Sequence, residues 1–401
     1  MRIVFLTHYY PPEVGAPQRR IQALAQRLSD RGVGVTVHTG FPHYPAGRIR
    51  PPYRNRLWRI ERDGAVRIVR SAVYARPNRG FFGRLFDHAS FAASALVTMA
   101  ASGAADVVVA ESPPLFLAAA AIVYARAKRA RLVLHVADRW PASAVQLGAL
   151  RGRRAVTMAE ALESFCYRHA AAIVAPTRPM AEALDRHACA AGRVRAIEPA
   201  VDLERFMDRR DRPADPRPMK VVYAGTIGMA HGLETLVRAA EAAGRQHVDV
   251  TIAGDGAEEP ALRARLERQP RPNVRLVGAL AADDVPALYA GADVGIVMLK
   301  DRPIFDEALP TKMLEILAAG RPAVVAARGN AARLVEESGA GIAVPPEDPE
   351  SLARALLTLA GDPAARARMG AAGRHLAEVR FARNLAVSQW HDLATAVVAE
   401  R

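Results

Sequence analysis

"DVGIVMLKDRPIFDEALPTKMLEILAAGRPAVVAA", residues 293 to 327, is the stretch on which the fold turns. It opens and closes on near-continuous apolar runs, "DVGIVML" and "PAVVAA". Between them a polar loop leads into a helical pattern from Thr311, stopped by Gly320. Such runs suit strands buried on both faces, joined by the helical crossover that parallel neighbours require. The unit recurs. "MKVVYAG", "VDVTIAG", "NVRLVG" and "GIAVPP" read as further strands, with helices beginning near Gly232, Glu258, Asp284, Asn330 and Pro349.

The first half repeats the pattern less cleanly. "RIVFLTH", "VGVTVHTG", "ADVVVAESPP" and "RLVLHVADRWP" read as strands. "APQRRIQALAQRLSDRG" places Pro17 at a helix start, Ile21, Leu24 and Leu28 on one face, and Gly32 at the stop. At 401 residues the chain is too long for one core. "MDRRDRPADPRP", residues 207–218, has three prolines and no apolar period, and reads as a linker. The expected organisation is α/β: two Rossmann-like, doubly wound parallel-sheet domains at 1–206 and 219–380, facing a cleft. Ligands of open α/β sheets bind at the carboxyl ends of the strands. A closing helix at 381–401, "FARNLAVSQWHDLATAVVAE" within it, is expected to cross the interface.

Two cysteines, Cys166 and Cys189, make no disulfide framework, and the N-terminal run lacks a signal peptide's longer apolar region. A reduced, cytoplasmic chain is expected. Residues 88–105 carry no Lys, Arg, Asp or Glu, but alanine and serine dominate, so a buried or amphipathic helix is expected rather than a span. Residues 1–206 hold 30 Lys and Arg against 15 Asp and Glu; residues 207–401 hold 25 against 26. Eleven arginines and two acids lie between Arg48 and Arg84. Such a patch seeks anions. No nucleic-acid motif accompanies it. "RPNRGFFGRLFDHASFAASAL" mixes arginines with Phe81, Phe82, Phe86 and Phe91, as a helix at an anionic membrane surface does; the same phenylalanines also suit a core.

Lys312 stands in the first turn of its helix, where the dipole disfavours a cation. Thr311 can cap that helix, and a phosphate bound at its N-terminus neutralises Lys312. Glu315, one turn on, can accept two hydroxyls of a sugar ring, and Glu307 in the preceding loop can reach a second polyol. That combination suits a nucleoside diphosphate carrying something rich in hydroxyls. Equally, Glu315 can simply favour the dipole and pair with Lys312, leaving Glu307 a solvated loop acid.

Glu307-x7-Glu315 followed by "ILAAGRPAVV" resembles the signature of the retaining GT-B glycosyltransferases of family four (GT4). "YYPPEVGAPQRRIQALAQRLSDRGVGVTV" resembles that family's N-terminal loop and first helix, and "VVYAGTIGMAHGLETLVRAA" and "VTIAGDGAEEPALR" resemble its donor domain. "TGFPHYPAGRI", "ESPPLF" and "DRWPASAVQLGAL" are similar to bacterial O-antigen and capsule transferases of the fucosaminyltransferase type. The resemblance covers nearly the whole chain. It implies that Glu315 holds ribose, Glu307 faces the donor sugar, and Lys312 touches pyrophosphate. Gly15 and Ala16 would approach the phosphates, and Asp138 would contact the sugar or the acceptor hydroxyl. Thr226 and His231 stand where the family usually has Arg and Lys. Ala16 replaces a glycine, Ala137 a histidine, Ala142 an acid, and Pro199-Ala200 an Asn-Gly.

The implied reaction moves a sugar, an N-acetylhexosamine or deoxysugar, from a UDP-sugar to a saccharide or lipid-diphosphate-linked acceptor. It belongs to cell-surface polysaccharide assembly at the inner face of the plasma membrane. No D-x-D for a metal-held diphosphate is present, and neither metal nor cofactor is expected beyond the UDP-sugar co-substrate. Other readings are a natural-product glycosyltransferase, a sugar-nucleotide epimerase and a non-catalytic nucleotide-sugar binder. "GDGAEE", residues 254–259, lacks the third glycine of a dinucleotide fingerprint. His8, His38, His43 and His135 sit on separate strand ends and read as ordinary loop or core histidines rather than metal ligands.

Overall fold

The computed structural model describes residues 1–13, 15–43, 47–75, 81–146, 148, 150–207 and 218–400, with the backbone alone for Ala16, Phe81, Phe82, Arg84 and Leu85. The chain forms two compact units: Met1–Glu198 together with Ala386–Arg401, and Pro199–Leu385. The first boundary thus precedes the proline-rich stretch, of which residues 208–217 lie outside the described residues.

In the first unit the strands are β1 (Arg2–Leu6), β2 (Gly34–Gly40), β3 (Trp58–Asp63), β4 (Val66–Ser71), β5 (Val107–Ser112), β6 (Arg131–Val136), β7 (Ala172–Ala175) and β8 (Val194–Ala196). They form one sheet of order β3-β4-β2-β1-β5-β6-β7-β8. Every pairing is parallel except β3 with β4. That antiparallel edge is a hairpin the sequence pattern does not announce, because "WRIERD" alternates around arginines and half faces solvent. Charge along an exposed edge discourages further strand pairing.

The first unit's helices are α1 (Ala16–Asp30), α2 (Phe81–Val97), α3 (Leu115–Lys128), α4 (Ala142–Gln146), α5 (Arg153–His169) and α6 (Arg178–Asp185). One face of the sheet is covered by α2, α3 and α5 through Phe91, Leu117, Ala121 and Cys166. Phe91 is therefore core, whereas Phe86 is 62% exposed. The Phe81 and Phe82 side chains lie outside the described set. Among the described residues no helix is long and apolar enough to cross a membrane.

The second unit holds β9 (Met219–Ala224), β10 (Val248–Ala253), β11 (Val274–Gly278), β12 (Val294–Met298), β13 (Ala323–Ala326) and β14 (Gly341–Val344). All are parallel, in the order β11-β10-β9-β12-β13-β14. The crossovers are α7 (Leu233–Ala243), α8 (Glu259–Arg268), α9 (Val285–Ala290), α10 (Thr311–Ala318) and α11 (Gly329–Glu337), followed by α12 (Pro349–Gly361) and α13 (Pro363–Arg380). Helices α7 and α12 pack on one face, and α10, α11 and α13 on the other. The strand order reverses between β9 and β12, and in the first unit between β1 and β5. Such switch points are where open α/β sheets leave a crevice.

The last helix, α14 (Arg383–Ala399), returns to the first unit. Val387, Ala394 and Val397 join the core formed with α1, and Arg131 donates to the Val397 carbonyl at 3.2 Å. Trp390 packs half-buried, its ring centroid 5.8 Å from that of His135. Removing most of an aromatic side chain from such a seam costs less than at a full core position. Trp390→Ala should destabilise the first unit by about 2 kcal/mol, read as a lower denaturant midpoint for that unit's unfolding.

Candidate functional site

In the second unit the expected residues gather at the carboxyl end of β9 and the start of α10. Gly225 follows β9 with φ +146°, a conformation that L side chains rarely adopt. A Cβ there would stand 3.0 Å from Lys312 Cε. Gly254 closes the loop from behind, since a Cβ on it would overlap the Gly225 carbonyl. The Ile227 N–H donates to the Asp255 carbonyl at 2.6 Å. The glycines of "GDG" thus serve backbone-to-backbone packing of two loops.

Lys312 is 9% exposed, and its ammonium donates to Tyr223 Oη at 2.5 Å. Tyr223 Oη in turn donates to the Thr226 carbonyl at 2.6 Å, so one phenol ties the lysine to the loop. Burial pushes Lys312 down to about 7, with Glu315 pulling the other way. Thr311 is not the cap that its hydroxyl suggests. The N-cap is Pro310, which lacks a side-chain acceptor, and Thr311 is the first helical residue. The first turn of α10 therefore presents its N–H groups without a side-chain cap, beside a desolvated cation.

His231, in the loop entering α7, packs its ring edge-on to Tyr223 at 6.2 Å. Burial, then Lys312 and Lys300, push it down to about 4, so it is neutral at pH 7. Thr226 is exposed. Neither supplies a cation, and Lys312 carries that duty among the expected residues. Glu315 lies half-buried one turn into α10, close enough to raise the pKa of Tyr289 after burial itself. Glu307 is half-buried in the 303–310 loop. That loop is held by the Asn330 N–H on the Asp306 carbonyl at 2.6 Å and by burial of Leu309.

Gly15, Ala16 and Asp138 belong to the first unit. Gly15 is the N-cap of α1 with extended backbone, φ 173°. The space a side chain would need there is taken by the buried Gln18 amide, and Ala16 is the first helical residue. Asp138 is exposed just beyond β6 and accepts from Ser143 Oγ at 2.8 Å. Crowding around its carboxyl raises its pKa against the opposing Ser143 and Arg139.

Sequence reading misses a network at the β1–β5 switch point. Thr7 Oγ1 donates to Glu111 Oε2 at 2.6 Å, and Arg20 donates to Glu111 Oε1 and approaches His135 Nδ1 at 3.3 Å. Burial alone would raise Glu111, but His135, Arg20 and Thr7 together pull it down to about 2. The available signal was a carboxylate ending an apolar strand in "ADVVVAESPP". His38, by contrast, is a core histidine held by Ser71 Oγ at 2.7 Å and Tyr124 Oη at 3.0 Å.

Comparison with known proteins follows this division. Residues 15–200 match the family model described as glycosyl transferase 4-like domain, and residues 218–362 match that described as glycosyl transferases group 1. WcaI of Escherichia coli (strain K12), a glycosyl transferase named for colanic acid biosynthesis, is 26% identical over 370 residues, 88% of this chain and 90% of that protein. Among solved structures, sucrose-phosphate synthase from Thermosynechococcus elongatus superposes with a TM-score of 0.78 over all of both chains at 20% identity. Anabaena HepE, solved with UDP, gives 0.70 at 19% identity over 99% of this chain and 100% of that one. With a glycosyltransferase signature in each half and the two-Rossmann GT-B architecture throughout, the chain belongs to the GT4 glycosyltransferases.

Proposed function

We propose that the protein is a retaining, metal-independent transferase that moves a sugar from a UDP-sugar to a saccharide or lipid-linked acceptor. The observation that carries the reading is the buried Lys312 ammonium at the uncapped start of α10, with Glu315 one turn further on. A diphosphate satisfies both the helix N–H groups and the ammonium, and a ribose satisfies the carboxylate. The UDP in the HepE structure supports the base, and the name of WcaI supports a role in cell-surface polysaccharide. The sugar is an N-acetylhexosamine or a deoxysugar.

In this reading the second unit takes the nucleotide and the first unit takes the acceptor, with Asp138 contacting the sugar or the acceptor hydroxyl. Glu307 faces the donor sugar. Departure of the diphosphate leaves an oxocarbenium-like sugar, and the acceptor hydroxyl attacks from the same face, giving its proton to the leaving phosphate. No enzyme-bound covalent intermediate forms. The protein's contribution is positioning, plus stabilisation of charge on the departing phosphate by Lys312 and the helix N–H groups.

Calorimetric titration with UDP, GDP, dTDP and CMP tests the assignment. UDP alone should bind, and Glu315→Ala should weaken it by about 2 kcal/mol, as expected for hydrogen bonds to a charged group. Equal binding by the variant sinks the ribose assignment.

Lys312 adds a signature in pH. Above about 7 the free lysine is largely neutral, and a bound diphosphate favours its charged form. UDP binding at pH 8 should therefore take up protons, and affinity should fall as pH rises above about 7. Calorimetry in buffers of different ionisation enthalpy reads the uptake directly, and Lys312→Met should abolish it.

The basic first unit is the proposed contact with an anionic membrane face. Leu57 (78% exposed) and Trp58 (49% exposed) lie at the arginine-rich β3 edge. Sedimentation with phosphatidylglycerol vesicles at low salt should carry the protein down, and phosphatidylcholine vesicles should not. Added salt should release it, because exposed charges are screened within about 10 Å at 0.1 M.

A further inference from the structure

The first unit buries His8, Glu13, His43 and Asp87 together. Their exposures are 3%, 2%, 3% and 6%. They come from four places: the residues after β1, the turn that follows, the loop after β2, and α2. His8 Nε2 lies 3.2 Å from Asp87 Oδ2, and His43 Nε2 lies 3.0 Å from the same oxygen. The sequence gives no hint of the meeting, since Asp87 is 79 residues from His8 and 44 from His43.

The hydrogen bond at the far side of His43 fixes its tautomer. Nδ1 faces the Phe41 carbonyl at 2.8 Å, with Glu13 Oε1 at 3.7 Å. Both are acceptors, so Nδ1 carries a proton. In neutral imidazole Nε2 is then a bare lone pair, and it points at a carboxylate oxygen. Two acceptors at 3.0 Å need a proton or a metal cation between them. A backbone carbonyl on one ring nitrogen, leaving the other free to ligate, is the usual arrangement of a metal-bound histidine. Glu13 also accepts the His43 backbone N–H at 2.9 Å, fixing that loop from the other side.

Charge and spacing agree. A carboxylate as buried as Asp87 must be paired or must coordinate a metal. One nitrogen from each histidine and one Asp87 oxygen lie within 4.8 Å of one another. Ligand atoms around a four-coordinate zinc, at about 2.0–2.2 Å from the ion, stand about 3.3 Å apart. Asp87 Oδ1 and His8 Nδ1 are buried without a hydrogen-bond partner among the described residues, so hydrogen bonding does not account for the whole cluster.

From this geometry we infer that His8, His43 and Asp87 form a site for a divalent first-row transition cation, zinc being the best match to two imidazoles and one carboxylate. Its role is structural. The ion ties the loops that follow β1 and β2 to α2 at the carboxyl end of the sheet, and takes no part in the phosphate chemistry of the second unit. The site stands independently of the transfer reaction proposed above.

The test uses the untagged full-length chain, stripped by a chelator and dialysed free of it. Cobalt(II) is added as a spectroscopic probe, and zinc is titrated in competition with a chromogenic chelator. One equivalent of cobalt with the intense visible absorption of a four-coordinate ion, displaced by zinc, is expected. Zinc should also raise the melting temperature. Asp87→Asn keeps the shape and should weaken zinc binding by at least about 100-fold, the upper end of what loss of a supporting partner costs a metal site. The proposal is overturned if folded wild-type protein takes up no stoichiometric metal, or if Asp87→Asn binds as tightly as wild type. Should Asp87→Asn fail to fold, wild-type stoichiometry and spectrum decide alone. A water-like, six-coordinate cobalt spectrum sinks the metal.

Discussion

Parallel pairing between strands governs where everything else in this protein can stand. Each parallel neighbour must be reached by a crossover, so all the carboxyl ends in a sheet emerge at one edge. Loops at that edge are released from core packing, and at the switch points they separate. Lys312, Tyr223 and His231 collect at one such edge, and Thr7, His8 and Glu111 at the other. The two sheets are different solutions to one problem. The second is parallel throughout, while the first ends in an antiparallel, arginine-bearing hairpin.

Within the second unit, one charge is balanced unusually. The Lys312 ammonium donates to a phenol, which brings no negative charge to the hydrogen bond. Glu315 is near enough to matter but does not cancel the effect of burial. The neighbouring histidine is neutral for the same reason, namely that burial outweighs any gain from charging it. Such a balance favours an anion, and the proposed diphosphate assignment rests on it.

Much of this was legible because it follows from periodicity. Helices expected near Gly232, Glu258, Asp284, Thr311, Asn330 and Pro349 begin at Leu233, Glu259, Val285, Thr311, Gly329 and Pro349. The odd placement of Lys312 was visible because it breaks a helix rule. Its partner Tyr223 was not, since an apolar strand residue shows its hydroxyl's role only after folding. "GDG" was visible, but its backbone role depends on Gly225 and Ile227, in the loop after β9. The links of Thr7 and Arg20 to Glu111 span 104 and 91 residues, and no local pattern encodes them. The hairpin of β3 and β4 was hidden because exposed arginines mask its alternation.

The return of α14 to the first unit has a consequence for how the chain is made. Residues 199–385 are contiguous and hold all that the second unit needs. The first unit lacks the strip of core supplied by Val387, Ala394 and Val397 until the whole of the second unit has been made. The usual order, in which the N-terminal domain matures first on the ribosome, is therefore reversed at its last step. The leading unit waits, its core one helix short, for residues encoded beyond its neighbour.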